Sequence, residues 1–211
     1  MDNAARAAGR PAARLLAVSK TQPAEAVAAL AAEGQQAFGE NYVQEAAAKI
    51  AQLQSAGLEW HLIGHLQSNK AEQAARLFDW VQTVDRPKLV TALARHRPAE
   101  RGPLDVLIQV NIDDEQSKHG CAPADIAALA AQIGAEPPLR LRGLMAIPAP
   151  FPERERRQAA FLRMRGLFDD LAQRWPSVDT LSMGMSGDFA DAIAAGATMV
   201  RIGTALFGAR H

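Results

Sequence analysis

The sequence predicts a single-domain α/β fold, a (β/α)8 TIM barrel, and three observations carry that prediction. Short apolar runs alternate about eight times with longer alanine-rich segments of helical spacing. The runs are mostly continuous in their apolar character, as strands covered on both faces must be. The 211 residues contain no linker or shift of composition, and barrels of roughly 200–250 residues fold as one unit. A doubly wound open sheet would share the alternation, but the first strand is not followed by the glycine-rich turn such a sheet uses for dinucleotides.

The elements follow in order. "RLLAVSK" (14–20) is the first strand, stopped by Pro23. "PAEAVAALAAEG" (23–34) is a helix, with Pro23 suited to its first turn and Gly34 to its C-cap. "QAFGE" (36–40) is a strand, and "NYVQEAAAKIAQLQSAG" (41–57) a helix ending on Gly57. "EWHLIG" (59–64) leads to the helix "SNKAEQAARLF" (68–78), with Ser68 as N-cap. "WVQTVD" (80–85) pairs with "RPKLVTALARHR" (86–97), and "LDVLIQVN" (104–111), after a polar loop, with "PADIAALAAQIG" (123–134). "LRLRGLMAI" (139–147) precedes the long helix 154–175, and "TLSMGM" (180–185) the short helix "DFADAIAAG" (188–196). "TMVRIGTALFG" (198–208) is read as the eighth strand. Residues 1–13 are read as a short N-terminal stub on a domain spanning 1–211.

Composition narrows the function. Lys plus Arg and Asp plus Glu both number 23, so no net charge draws the chain to nucleic acid or an anionic membrane. Cys121 stands alone, which excludes an internal disulfide, and a buried structural thiol is expected. No run of about 20 apolar residues could span a membrane. Residues 1–13 lack the apolar core of a secretory signal, so a cytoplasmic location is expected. His61 and His65 are assigned packing or loop roles, because no metal-ligand partner is visible near them in sequence, and no metal is expected. Trp60, Trp80 and Trp175 read as core anchors.

Barrel active sites lie at the C-terminal ends of the strands. There the sequence places Lys20, then Gly39-Glu40-Asn41, Gly64-His65, Asp85, Asn111, Gly184-Met185-Ser186 and Gly203-Thr204. A lysine at a pocket mouth can be desolvated and made nucleophilic. The segments "SMGMSGD" and "RIGTALFG" offer Ser182, Ser186, Gly203 and Thr204 after strands seven and eight, where barrels commonly bind phosphate. Closure sets strand eight beside strand one, so the amine and the phosphate cup become neighbours. Pyridoxal 5′-phosphate (PLP) carries the aldehyde and the phosphate that such a pair suits.

"LLAVSKTQP", "FGENYVQE", "WHLIGHLQSNK", "RGLMAIPAP" and "TMVRIGTALFGAR" closely resemble the pyridoxal phosphate homeostasis proteins (YggS/PROSC type) over roughly residues 14–210. The resemblance implies a barrel like the N-terminal domain of alanine racemase, holding PLP in intracellular vitamin B6 balance rather than in turnover. It further implies that Lys20 forms the imine, that Arg201 faces the pyridine nitrogen, and that Ser182, Ser186, Gly203 and Thr204 hold the phosphate. Asn41 is implied as a pocket residue and Lys118 as a second lysine near the pocket entrance. The implied partners are PLP and apo PLP-dependent enzymes as recipients, with a monomeric state. Two positions depart from the pattern: Gly187 stands where an acidic residue is common, and His65 where many bacterial members carry proline. A weak PLP-dependent amino-acid racemase is the alternative. It would need two bases, and beyond Lys20 the sequence offers only Tyr42 as a tyrosine.

Overall fold

The computed structural model describes residues 1–114, 119–149 and 151–208. Eight parallel strands close into a barrel in chain order: β1 (Arg14–Val18), β2 (Ala37–Glu40), β3 (Glu59–Leu62), β4 (Trp80–Val84), β5 (Leu104–Val110), β6 (Leu139–Ala146), β7 (Thr180–Ser182) and β8 (Met199–Ile202). Closure comes from β8 pairing with β1, with Leu16 opposite Arg201 and Ala17 opposite Ile202. The outer helices are α2 (Ala24–Ala32), α3 (Val43–Gln52), α4 (Ala71–Leu77), α5 (Pro87–His96), α6 (Ile126–Gly134), α7 (Arg154–Arg174) and α8 (Phe189–Ala194).

The main core lies between strands and helices and includes the fully buried Phe38, Phe78, Leu89, Leu104 and Phe161. Each such side chain contributes about 1.5–3 kcal/mol on removal from water. Inside the barrel sit two smaller apolar clusters, Leu16–Ala37–Ile63–Met199 and Trp80–Leu107–Met145. A shift in the β5–β6 register occurs at Arg142. Gly143 allows it, because its φ of 145° is hostile to other residues and a Cβ there would collide with the Thr180 carbonyl.

Two expectations need correction, and a third gains detail. The eighth strand ends at Ile202, and Thr204–Phe207 forms a helical turn, α9, instead of more strand. Apolar composition cannot distinguish the two states over so short a run. Within residues 1–13, Asp2–Ala7 forms the short helix α1, whose buried Ala5 belongs to the core and which packs against α8. Ser68 does not cap α4: it opens a 3-10 turn, Ser68–Lys70, with no side-chain cap.

Candidate functional site

The C-terminal rim opens onto a cavity of about 270 Å3 between the ends of β1 and those of β7 and β8. Lys20, Asn41, Ser186, Gly203 and Thr204 line it as expected, joined by Arg201 from inside β8. Its apolar flanks are Val18, Ile63, Ile147, Met185 and Phe207. Among the described lining residues there is no carboxylate, while both Lys20 and Arg201 are cationic types. Lys118 lies outside the described residues.

Lys20 follows β1 after one residue, Ser19, and both of its neighbours are tied down. Buried Ser19 donates its N–H to the Gly39 carbonyl at 3.0 Å and its hydroxyl to Glu40 Oε1 at 2.6 Å. Its own carbonyl accepts from Lys49 Nζ at 2.7 Å. Thr21 sits at a φ of 66°, a left-handed conformation that costs a β-branched residue about 1–3 kcal/mol. The Thr21 N–H donates to the carboxylate of Glu45. Lys49 Nζ then joins both acids, at 2.8 Å from Glu40 Oε1 and 2.7 Å from Glu45 Oε1. Burial pushes the Glu40 carboxyl up from its ordinary range, against the hydrogen bonds of Lys49 and Ser19. Its second oxygen has no partner among the described residues. This cluster fixes the turn that carries Lys20, and sequence reasoning missed it. The available signal was the i,i+4 spacing of Glu45 and Lys49 in an otherwise alanine-rich helix.

Arg201 is 4 % exposed. It donates through Nη1 to Ser182 Oγ at 2.9 Å and through Nη2 to the Ala146 carbonyl at 2.8 Å. Burial pushes its guanidinium down to about 10, so it remains protonated at neutral pH. No carboxylate forms a salt bridge with it among the described residues.

Ser182 is where the geometry departs from the expected phosphate cup. It is fully buried, does not line the cavity, and has its hydroxyl engaged beneath Arg201. A hydrogen-bonded column continues from it through the barrel. Ser182 Oγ donates to Gln82 Oε1 at 2.7 Å, and Gln82 Nε2 approaches His61 Nδ1 at 2.9 Å. His61 Nε2 meets Glu59 Oε1. The two ends set the direction of every bond: a guanidinium can only donate and an ionised carboxylate can only accept. His61 is therefore neutral with its proton on Nε2, and burial likewise holds its pKa below the usual value. The near-continuous apolar character expected of the strands fails at these inward positions of β3, β4, β7 and β8.

The cavity wall formed after β7 and β8 is rich in unused donors. The N–H groups of Ser186, Gly187 and Thr204, and the hydroxyls of Ser186 and Thr204, make no hydrogen bond among the described residues. With α8 and α9 spanning six and four residues, these exposed N–H groups matter more than any macrodipole. Asn41 is set at the rim by a close backbone approach: a Cβ on Gly64 would lie 2.1 Å from the Asn41 carbonyl oxygen. Tyr42 is 61 % exposed and lines a neighbouring depression with His65 and Lys70, not this cavity. Cys121 is buried, and burial pushes its thiol up to about 12, as an unreactive structural cysteine requires. His65, expected to be without ligand partners, stands beside Asp85 and His119.

Fold and site together define a single barrel domain of the type that opens alanine racemases, and the family model "Alanine racemase, N-terminal domain" matches residues 1–211. The pyridoxal phosphate homeostasis protein of Escherichia coli (strain K12) is 56 % identical over 93 % of this chain and 85 % of its own length. The chain belongs to that family. PipY of Synechococcus elongatus PCC7942, solved with PLP bound, is 40 % identical, covers 97 % of this chain and 99 % of its own, and superposes with a TM-score of 0.84. Alanine racemase from Corynebacterium glutamicum shares the fold at 22 % identity and a TM-score of 0.69, covering 98 % of this chain and 59 % of its own. No helix of the described residues is long and apolar enough to cross a membrane.

Proposed function

We propose that this protein binds PLP through Lys20 and holds it for intracellular vitamin B6 balance, rather than using it in catalytic turnover. The observation that carries the reading is Arg201, a buried cation with no carboxylate salt bridge among the described residues, at a cavity whose wall presents unused donors. Leaving a charge buried and uncompensated is costly, so the site favours an anionic ligand. At about 270 Å3 the cavity falls just below the usual range of roughly 300–1,000 Å3, and its apolar flanks suit a flat ring. Ser186, Gly187, Gly203 and Thr204 would hold the phosphate, with Lys20 meeting the aldehyde carbon. PLP supplies an aldehyde for amine capture and, when its ring nitrogen is protonated, an electron sink. Arg201 would face that nitrogen with donors only, which keeps it unprotonated and the sink weak. Ser182 and the column beneath it orient Arg201.

Lys20 and Arg201 are the titratable residues among the described cavity lining, so a second base for racemisation has no candidate there. The same reading makes apo PLP-dependent enzymes the recipients and the protein a cytoplasmic monomer. Borohydride reduction followed by peptide mapping tests the binding mode: the label should fall on Lys20 and vanish in Lys20→Ala, and a label elsewhere would overturn it. Exchange of amino-acid α-protons in heavy water tests the second part. Background rates are expected, whereas enzyme-like exchange lost in Lys20→Ala would establish the racemase alternative.

A further inference from the structure

We propose that His65, Asp85 and His119 form a binding site for a divalent transition metal of the zinc class on the C-terminal rim, separate from the PLP cavity. Three strand-end loops, after β3, β4 and β5, bring the residues together, with their candidate ligand atoms all within 4.8 Å of one another. The imidazoles of His65 and His119 stack with centroids 3.6 Å apart and planes 15° from parallel. His65 Nδ1 lies 4.0 Å from Asp85 Oδ2, too far for a hydrogen bond. The three groups therefore converge without bonding one another. Tetrahedral zinc, with bonds of 2.0–2.2 Å to nitrogen and oxygen, sets its ligands about 3.4 Å apart. From separations of up to 4.8 Å, closing the gap takes more than an ångström, and the two stacked rings must rotate so that their in-plane lone pairs meet at one centre.

The backbone under each ligand is fixed. Asp85 is held through its other oxygen, Oδ1, by Arg86 Nη1 at 2.6 Å, and Arg86 Nη2 donates to the Leu66 carbonyl at 2.8 Å. Arg86 thus ties the aspartate to the loop that carries His65. The Gly64 carbonyl accepts from Thr83 Oγ1 at 2.9 Å. Behind His119, Asn111 N–H donates to the Cys121 carbonyl and Cys121 N–H to the Gln109 carbonyl, both at 2.9 Å. Gln109 Nε2 reaches out from inside the barrel to the His119 carbonyl at 3.2 Å. Such partners set ligand orientation in metal sites.

Two imidazoles and one carboxylate select Zn2+, Co2+, Ni2+ or Cu2+ over Mg2+ and Ca2+. Three protein ligands leave at least one position for water or an incoming group. Arg86, beside Asp85, lowers the affinity for a cation, which makes the site an exchangeable one.

The test is a Zn2+ titration of untagged protein against a chromophoric chelator, with the cofactor left as isolated. One equivalent should bind, and affinity should fall at least tenfold in His65→Ala and in His119→Ala. His96→Ala, whose ring sits near Glu72 outside the cluster, should bind like the parent. Far-UV circular dichroism of the variants, both at partly exposed positions, controls for folding. Zn2+ binding that is absent in the parent, or indifferent to both histidines because the cofactor holds the metal, would overturn the proposal. Co2+ adds a second readout: d–d bands without thiolate charge transfer support the His/Asp set, while a thiolate band would assign the metal to Cys121 instead.

Discussion

The two ends of the barrel use charge in opposite ways. At the N-terminal ends of the strands, cations and anions satisfy each other. Arg14 meets Glu59 at 2.9 Å, Arg101 meets Asp79 at 2.7 Å, and Arg142 bridges Asp105 at 2.8 Å and Asp179 at 2.6 Å. Arg142 also lies over the Trp80 ring at 4.7 Å. At the C-terminal end Arg201 has no salt-bridge partner among the described residues, and the Glu40–Lys49–Glu45 cluster serves a turn instead of a strand. One end ties strand starts together; the other is preorganised around a ligand. The polar column from Glu59 to Arg201 connects them through the interior.

The largest expected effect is Lys49→Met. It strands two buried or half-buried carboxylates, which should cost about 3–5 kcal/mol in urea unfolding. It should also loosen the Ser19–Thr21 turn, so cofactor retention falls even where the fold persists. Unchanged retention in the folded variant would show that the Glu40–Lys49–Glu45 cluster does not serve the cofactor site. Ser182→Ala comes next: Gln82 Oε1 and Arg201 Nη1 lose a buried partner, at about 1–3 kcal/mol. Sharing the cost between stability and cofactor affinity would mark Ser182 as a positioning residue, whereas a purely structural role would leave affinity untouched.

The column also predicts a pH dependence. Burial opposes ionisation of Glu59, but His61 and Arg14 outweigh it and hold the carboxyl down at about 2, against an ordinary 4.5. A depressed carboxylate stabilises the fold fully above pH 4.5, and that contribution is lost as pH falls towards 2. His61, kept neutral by burial, acts with the same sign: its contribution is present above its ordinary 6.5 and fades as pH falls below it. Urea midpoints measured from pH 7 to 2 should decline less steeply in Glu59→Gln than in the parent. Smallest is Arg14→Ala, whose side chain is 44 % exposed. About 1 kcal/mol or less should be lost, and salt should shrink it further. Cofactor retention should not change, and a change would blur the distinction between the two ends.

Much of the barrel was legible because each apolar run has strand length and each alanine-rich segment has helical spacing. The failures were short or local. "GTALF" carries too few residues for periodicity to speak, and only the chain's exit from β8 makes Thr204–Phe207 a turn of helix. Lys20, Asn41, Ser186, Gly203 and Thr204 were legible as strand-end residues, since closure follows from counting eight units. Ser182, expected beside the phosphate, lies below the rim with its hydroxyl bonded to Gln82 and Arg201. Depth below the rim cannot be read from a motif.

By itself the sequence determined the fold class, the family and the set of small and cationic residues at the strand ends, because periodicity and motif are local properties of the chain. Only the tertiary structure decided which charges are paired. Lys49 reaches Ser19 across 30 residues, Ser182 reaches Gln82 across 100, and His119 comes to rest on His65 from another loop. The physical reason is that pairing depends on burial and distance, which barrel closure sets and no sequence interval encodes.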